Sequence, residues 1–271
     1  MADSDLPVPD GPEWLRTGIG SSEPDRITVG GRDLPGEVMG RLTLTELAFL
    51  LVTRREPTSG QRRMVDAVLV SLADHGLTPS ALAARLTYTG APEALQGAVA
   101  AGLLGAGSVF LGPTGDTASF LADALATRGE GEVDDASLRR VAEAAVEERR
   151  RAGLRVPGLG HPVHRVLDPR VARLYELAAE EELLGPHLRL LELVAEVHED
   201  MTGRRLPING AGAGGAALVV DAGIPPGSVR GFALIARTAG LVAQLAEEAE
   251  HPIGRSLADD VERRARYEPP A

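Results

Sequence analysis

The stretch Val156–Arg170, VPGLGHPVHRVLDPR, holds the densest set of groups able to do chemistry. Pro157, Gly158 and Gly160 bring bare backbone to the surface just before His161. Such backbone can hydrogen-bond the edge of a base or an oxyanion. Asp168 followed by Pro169 reads as the cap and first residue of a helix, so His161 is held at a defined point ahead of it. Arg165 and Arg170 add two guanidiniums within nine residues of His161. A carboxylate-bearing substrate beside His161 would be gripped bidentately by such an arginine. The plainer alternative is a glycine turn with a capping aspartate and surface arginines. His161 and His164 also suggest a metal pair, but no shell of Asp, Glu or Cys completes it, and no metal is expected.

A second motif, NGAGAGG from Asn209 to Gly215, contains GxGxxG at Gly210, Gly212 and Gly215. A dinucleotide fold needs a strand before this pattern and an acid about twenty residues after it. The preceding RRLPIN is a poor strand, and Ile235, Ala236 and Arg237 stand where the acid belongs. Close helix packing, or close approach of backbone to a ligand, fits the glycines better. The third candidate, His75 in ADHG, ends a helix, where a histidine also complements the helix dipole.

Composition limits the chemistry further. The chain has 271 residues, 44% of them hydrophobic and only 3% aromatic, with a formal charge of −11. That balance argues against binding nucleic acid or an anionic membrane. There is no cysteine, hence no disulfide, thiolate nucleophile or Cys-ligated metal. All 28 bases are arginine. A chain without lysine forms no Schiff base and carries no Walker A lysine. The six histidines are therefore the main candidates for acid–base work near neutral pH. The first residues are acidic and proline-rich, unlike a secretory signal. The most apolar run, Gly97–Gly112, is short for a membrane span. A cytoplasmic location is expected.

The elements that must position these groups are nearly all helices. Residues 1–25 read as a loose arm. Ile27–Val29 and the Gly30-Gly31 pair suggest a small β-hairpin. Thr43-x-x-Glu46 forms a capping box ahead of Leu44, Leu47, Ala48 and Leu51, and Pro57 stops the run. Further helices are expected over Met64–Leu72, from Thr78-Pro79, from Pro92 to about Leu104, and after caps at Asp116 and Asp135. Others follow from Asp168-Pro169, from Pro186 to about Gly203, over 211–222 and over 228–249. The small residues of 97–107 suit a tightly packed helix pair or a subunit interface. The fold class is all-α with a minor N-terminal β-hairpin.

Several segments together resemble the citrate synthase superfamily. GRLTLTELAFLLVTRREPTSGQ is similar to an early helix of citrate synthases, ADHG to their histidine segment, and ARTAG at 236–240 to a late helix. VPGLGHPVHRVLDPR is similar to their "PGYGHAVLRKTDPR", with the histidine and both arginines in register. The resemblance implies a helical homodimer whose large domain (26–113 and 223–271) and small domain (114–222) close over substrate. It implies that His161 polarises or deprotonates the oxygen of an oxo-acid and that His75 hydrogen-bonds the same portion. Arg170 and Arg237 would bind carboxylates, and backbone at Pro157–Gly160 would face the adenine of coenzyme A. Coenzyme A enters only as part of substrate or product, with no permanently bound cofactor.

Two departures bear on the activity. Leu111–Gly115, LGPTG, lacks the enol-stabilising histidine of "GPLHG". The citryl-CoA-cleaving module of ATP-citrate lyases lacks it too, and His251-Pro252 matches that module. The catalytic aspartate of "NVD" also has no counterpart, because Leu206–Val220 contains no acid and Asn209 is its only polar side chain. A positioned base is worth about 10²–10⁴ in rate. Its loss weighs on a synthase, which must pull a weakly acidic α-proton. A lyase generates the basic enolate instead, and a favourable cleavage equilibrium still carries flux. The sequence thus points to carbon–carbon cleavage of citryl-CoA or a close 3-hydroxy-3-carboxyacyl-CoA, with His161 accepting the hydroxyl proton and Asn209 orienting the thioester. Asp116, Glu199 and Asp200 are candidate substitutes for the acid. The alternatives are a condensing enzyme on another acyl-CoA and oxo-acid pair, and a non-catalytic coenzyme A-binding or regulatory homologue.

Overall fold

The computed structural model describes residues 16–128, 133–220 and 223–270. It divides into two compact units between Pro57 and Thr58.

In the first unit, strands β1 (Gly20–Ser22), β2 (Ile27–Val29) and β3 (Arg32–Asp33) form an antiparallel sheet in that order. Gly30 and Gly31 both have positive φ, which suits the two-residue turn between β2 and β3. The expected hairpin is present, and β1 extends it into the stretch read as a loose arm. Residues 1–15 of that arm lie outside the described residues. A π-helical turn, Leu34–Val38, leads to α1 (Leu44–Thr53). The Thr43–Glu46 capping box forms as expected: Glu46 N–H donates to Thr43 Oγ1 at 3.2 Å and Thr43 N–H to Glu46 Oε2 at 2.7 Å.

The second unit is helical. Its elements are α2 (Ser59–Ala73), α3 (Pro79–Gly90), α4 (Leu95–Gly105), α5 (Gly112–Ala126), α6 (Asp135–Arg151) and α7 (Pro169–Glu180). After them come α8 (Pro186–Thr202), α9 (Gly210–Val220), α10 (Pro226–Glu250) and α11 (Gly254–Arg264). Helix α10 has the length and apolarity of a membrane span, but it packs against α2, α3, α4, α5 and α9. Met64, Val65 and Val68 of α2, and Phe232, Leu241 and Leu245 of α10, are among the fully buried core side chains.

Small residues let these helices approach. A Cβ on Gly102 of α4 would lie 2.7 Å from Leu241 Cδ1, and Ser80 Oγ donates to the Gly102 carbonyl at 2.6 Å. The 97–107 segment is thus a tight helix contact within the chain. A Cβ on Gly240 would collide with the Ala73 carbonyl, and one on Gly215 with that of Thr114. The end of α2 therefore lies directly on α10, and α9 directly on α5.

Some boundaries differ from expectation. Asp116 is inside α5, whose start at Gly112 is entered from a second π-helical turn, Gly107–Leu111. Asp134, not Asp135, caps α6: its carboxylate accepts from Ser137 N–H at 2.8 Å. Helix α4 starts three residues beyond Pro92, after a turn in which Ala94 N–H meets the Ala91 carbonyl at 3.0 Å.

Candidate active site

Two chain segments bring three imidazoles together. His75 sits in the turn between α2 and α3, just after the close contact at Gly240. Asp74 is gripped there by Gln244 of α10, whose Nε2 donates to Oδ1 at 2.9 Å. His161 and His164 come from the glycine loop ahead of α7. Their rings stack with centroids 4.5 Å apart, and each lies 5.6 Å from the ring of His75.

The loop is held by pairing rather than by side-chain packing alone. Gly158 and Gly160 both have positive φ. Gly160 N–H donates to the Pro207 carbonyl at 2.7 Å, and Asn209 N–H to the Gly158 carbonyl at 2.9 Å. Asn209 Nδ2 donates to the Gly160 carbonyl at 2.9 Å, while its Oδ1 accepts from Gly212 N–H at 2.7 Å. Asn209 thus caps α9 and ties the histidine loop to it, which makes it a positioning residue. The Gly158 carbonyl and both backbone groups of Gly160 are engaged with 207–209. The glycines of NGAGAGG serve packing: a Cβ on Gly212 would lie 2.5 Å from Gly158 Cα, and one on Gly210 would collide with the Arg170 guanidinium.

His161 Nδ1 accepts from the backbone N–H of Val163 at 3.1 Å and of His164 at 3.0 Å. Its ring proton is therefore on Nε2, and the free edge of the ring is a hydrogen-bond donor. Burial first, then the neighbouring His164, lowers its pKa below the ordinary histidine value, against the pull of Asp168. The pKa of His75 is lowered by burial first, then by Arg170, His164 and Arg237. Depressed pKa values favour neutral rings.

One nitrogen from each of His75, His161 and His164 lies within 4.8 Å of the others, so the fold adds a third donor to the pair seen in sequence. A metal ion on His161 would need the Nε2 lone pair and hence a proton on Nδ1. Nδ1 faces two N–H donors, so this ring orientation opposes metal binding.

Arg170 is locked from one side. Its Nε and Nη2 donate to Asp168 at 2.9 and 2.7 Å, and Nη1 to the Ser71 carbonyl at 3.2 Å. Asp168 is fully buried and also accepts from Gly210 N–H at 2.7 Å. Burial alone would raise its pKa, but Arg170 and Gly210 outweigh burial and hold it far below the carboxylate range. Sequence reading saw Asp168 only as a cap; the Asp-x-Arg spacing was the available signal for its second task. Two of the five guanidinium N–H groups of Arg170 remain for an outside acceptor.

Arg237 on α10 differs. Its side chain is buried, and Nε has no hydrogen-bond partner among the described residues. Burial and the nearby Arg170 lower its pKa, while Asp74 opposes them. Arg165 is exposed on the loop. Of the candidate substitutes for the missing acid, Asp200 is paired with Arg139 at 2.5 Å, Glu199 faces Arg205 at 4.0 Å, and Asp116 lies beside Gly112.

The family model for the citrate synthase C-terminal domain matches residues 27–257. The chain belongs to the citrate synthase family. Among solved structures, citryl-CoA lyase from Hydrogenobacter thermophilus is 32% identical with a TM-score of 0.82, over 94% of this chain and 96% of that one. An ATP citrate lyase from Methanosaeta concilii, solved with (3S)-citryl-CoA as a D541A mutant, shares the fold at 22% identity and TM-score 0.72. It covers 94% of this chain and 42% of that one. Citrate synthase from Thermoplasma acidophilum, solved with carboxymethyl coenzyme A and oxaloacetate, shares the fold at 18% identity and TM-score 0.61, over 84% and 57%. No curated protein matches this chain in sequence.

Proposed function

We propose that this chain cleaves citryl-CoA, or a close 3-hydroxy-3-carboxyacyl-CoA, into an oxo-acid and an acyl-CoA. The observation that carries this reading is Arg237, a buried guanidinium with an unpartnered Nε beside Arg170 and three imidazoles. A buried guanidinium whose Nε–H is unsatisfied is costly even with Asp74 nearby, and a substrate carboxylate removes that cost. Each charge-assisted bond to such a carboxylate contributes about 1.5–3 kcal/mol.

In this reading Arg237 and the free edge of Arg170 hold the carboxylates of the oxo-acid portion, with His75 beside them. His161 points an N–H at the substrate hydroxyl oxygen. As the C–C bond breaks, that oxygen passes through alkoxide character, and a fixed donor stabilises it. The expectation that His161 accepts the hydroxyl proton is set aside, because Nδ1 already accepts from two backbone N–H groups and the ring is left to polarise the oxygen through Nε2–H. The 32% identity to a citryl-CoA lyase, over nearly the whole of both chains, supports cleavage over condensation.

The test is to mix the protein with citryl-CoA and follow oxaloacetate release, with His161→Ala in parallel. Release by the wild type, reduced at least about a hundredfold in the variant, is the expected result. No release from folded wild type would contradict the lyase reading and leave the ligand-binding alternative.

A further inference from the structure

We infer that His164 is the acid–base catalyst at the α-carbon of the thioester, the group that carries a proton from the substrate hydroxyl to the enolate. This rests on the lyase reading above.

Cleavage needs a group that takes the hydroxyl proton and a group that protonates the new enolate carbon. Carboxylates near the cluster are poor candidates among the described residues. Asp168 is held ionised by Arg170 and Gly210 N–H. Asp74 accepts from Gln244 Nε2 and from Gly76 N–H at 2.8 Å, and its pKa is lowered; burial raises it, but these hydrogen bonds prevail. His161 is excluded as a base by its own hydrogen bonds, because Nδ1 already accepts from two backbone N–H groups and Nε2 carries the proton.

Two imidazoles remain. Neither His75 nor His164 has a side-chain hydrogen bond among the described residues, so each ring, when it carries one proton, offers a free acceptor nitrogen. Their positions differ. His75 lies in the field of Arg237, at the end of the site that takes carboxylates, and is tilted 5.6 Å from His161. His164 stacks directly on His161 at 4.5 Å, and its own backbone N–H helps fix the His161 ring. The hydroxyl oxygen and the carbon awaiting the proton are both bonded to the same substrate carbon. Two stacked rings can therefore serve them together, one donating to the oxygen and the other moving the proton.

The step balances within the substrate and one imidazole. The hydroxyl O–H breaks and its proton goes to the free nitrogen of His164. The oxygen becomes the carbonyl of the oxo-acid, the C–C bond breaks, and its electron pair enters the thioester enolate. The His164 imidazolium then returns the proton to the α-carbon, giving the acyl-CoA and a neutral ring. Each turnover leaves His164 as it began.

The experiment compares wild type, His164→Ala and His164→Phe for citryl-CoA cleavage, with and without added imidazole, after thermal melts show that each variant folds. We expect His164→Ala to lose about 10²–10⁴ in kcat with KM changed less than tenfold. Imidazole should restore part of that rate in His164→Ala, where the ring has left space, and none in His164→Phe. A folded His164→Ala that cleaves at the wild-type rate, or that loses activity without responding to imidazole, would overturn the assignment. Inactive wild type would overturn the lyase reading itself, which separates the two failures.

Discussion

Two buried arginines, Arg237 on α10 and Arg85 packed against it, are treated in opposite ways. Arg85 of α3 is 1% exposed. It donates to Gln244 at 2.7 Å, to Glu248 at 2.9 Å and, in a short contact, to Glu247. Glu248, itself buried, also accepts from Ile253 and Gly254 N–H at 3.0 and 2.7 Å. The chain thus supplies every charge this region needs. Arg237, 7% exposed and about two to three turns before those partners on α10, has no hydrogen-bond partner for Nε among the described residues. A neutral side chain there would cost less if stability were the only requirement. The difference separates a buried cation that ties helices together from one that awaits an anion.

The comparison is sharpest in variants. Arg85→Met strands Glu248 as a buried, unpaired carboxylate and is expected to cost about 3–5 kcal/mol of stability. Urea unfolding measures this, and turnover per folded molecule should hardly change. Arg170 is intermediate, because three of its N–H groups are held by Asp168 and the Ser71 carbonyl and two remain. Asp168→Asn removes the charge on the paired side and should cost about 2–3 kcal/mol, together with turnover, because Arg170 loses its fixed orientation. Gly212→Ala pushes a Cβ against the Gly158 backbone and should cost about 1–3 kcal/mol. Activity should fall with it, since Gly158 belongs to the loop that carries His161.

His187 provides the smallest effect. It is half-buried, and its buried Nδ1 has no partner among the described residues, but a histidine can give up its charge where an arginine cannot. Burial lowers its pKa to about 4 from the ordinary 6.5. The folded state holds it neutral, while the unfolded chain takes up a proton below pH 6.5. Its contribution is complete above that pH and is lost as the pH falls towards 4. Discounted for partial exposure, it amounts to about 1 kcal/mol at pH 5. The stability of His187→Leu should fall less than that of wild type between pH 7 and pH 5, as measured by unfolding at each pH.

Much of the fold was legible because its signals are local. The capping box at Thr43, Pro79 after Thr78 and Pro169 after Asp168 each mark a helix start within a few residues. Helix α11 left no such mark: its surface is exposed and charged, and its anchor is the Glu248 carboxylate on the Gly254 N–H. The beginning of α5 was misjudged because a π-helical turn feeds directly into it without a capping side chain. In the site, His75, His161, Arg170 and Arg237 stood out by type and spacing. What did not stand out was pairing: that Asp168 occupies one side of Arg170, that Asn209 fixes a loop, and that Arg237 Nε has no hydrogen-bond partner among the described residues. Each depends on segments far apart in the chain.

The most direct test of the central claim asks whether an outside carboxylate completes Arg237. Thermal melts of wild type, Arg237→Leu and Arg85→Met with and without saturating oxaloacetate would decide it. The account predicts that oxaloacetate raises the midpoint of wild type and of Arg85→Met, and leaves Arg237→Leu unmoved although that variant is at least as stable as wild type alone. Equal stabilisation of Arg237→Leu by oxaloacetate, or none of wild type, would contradict it.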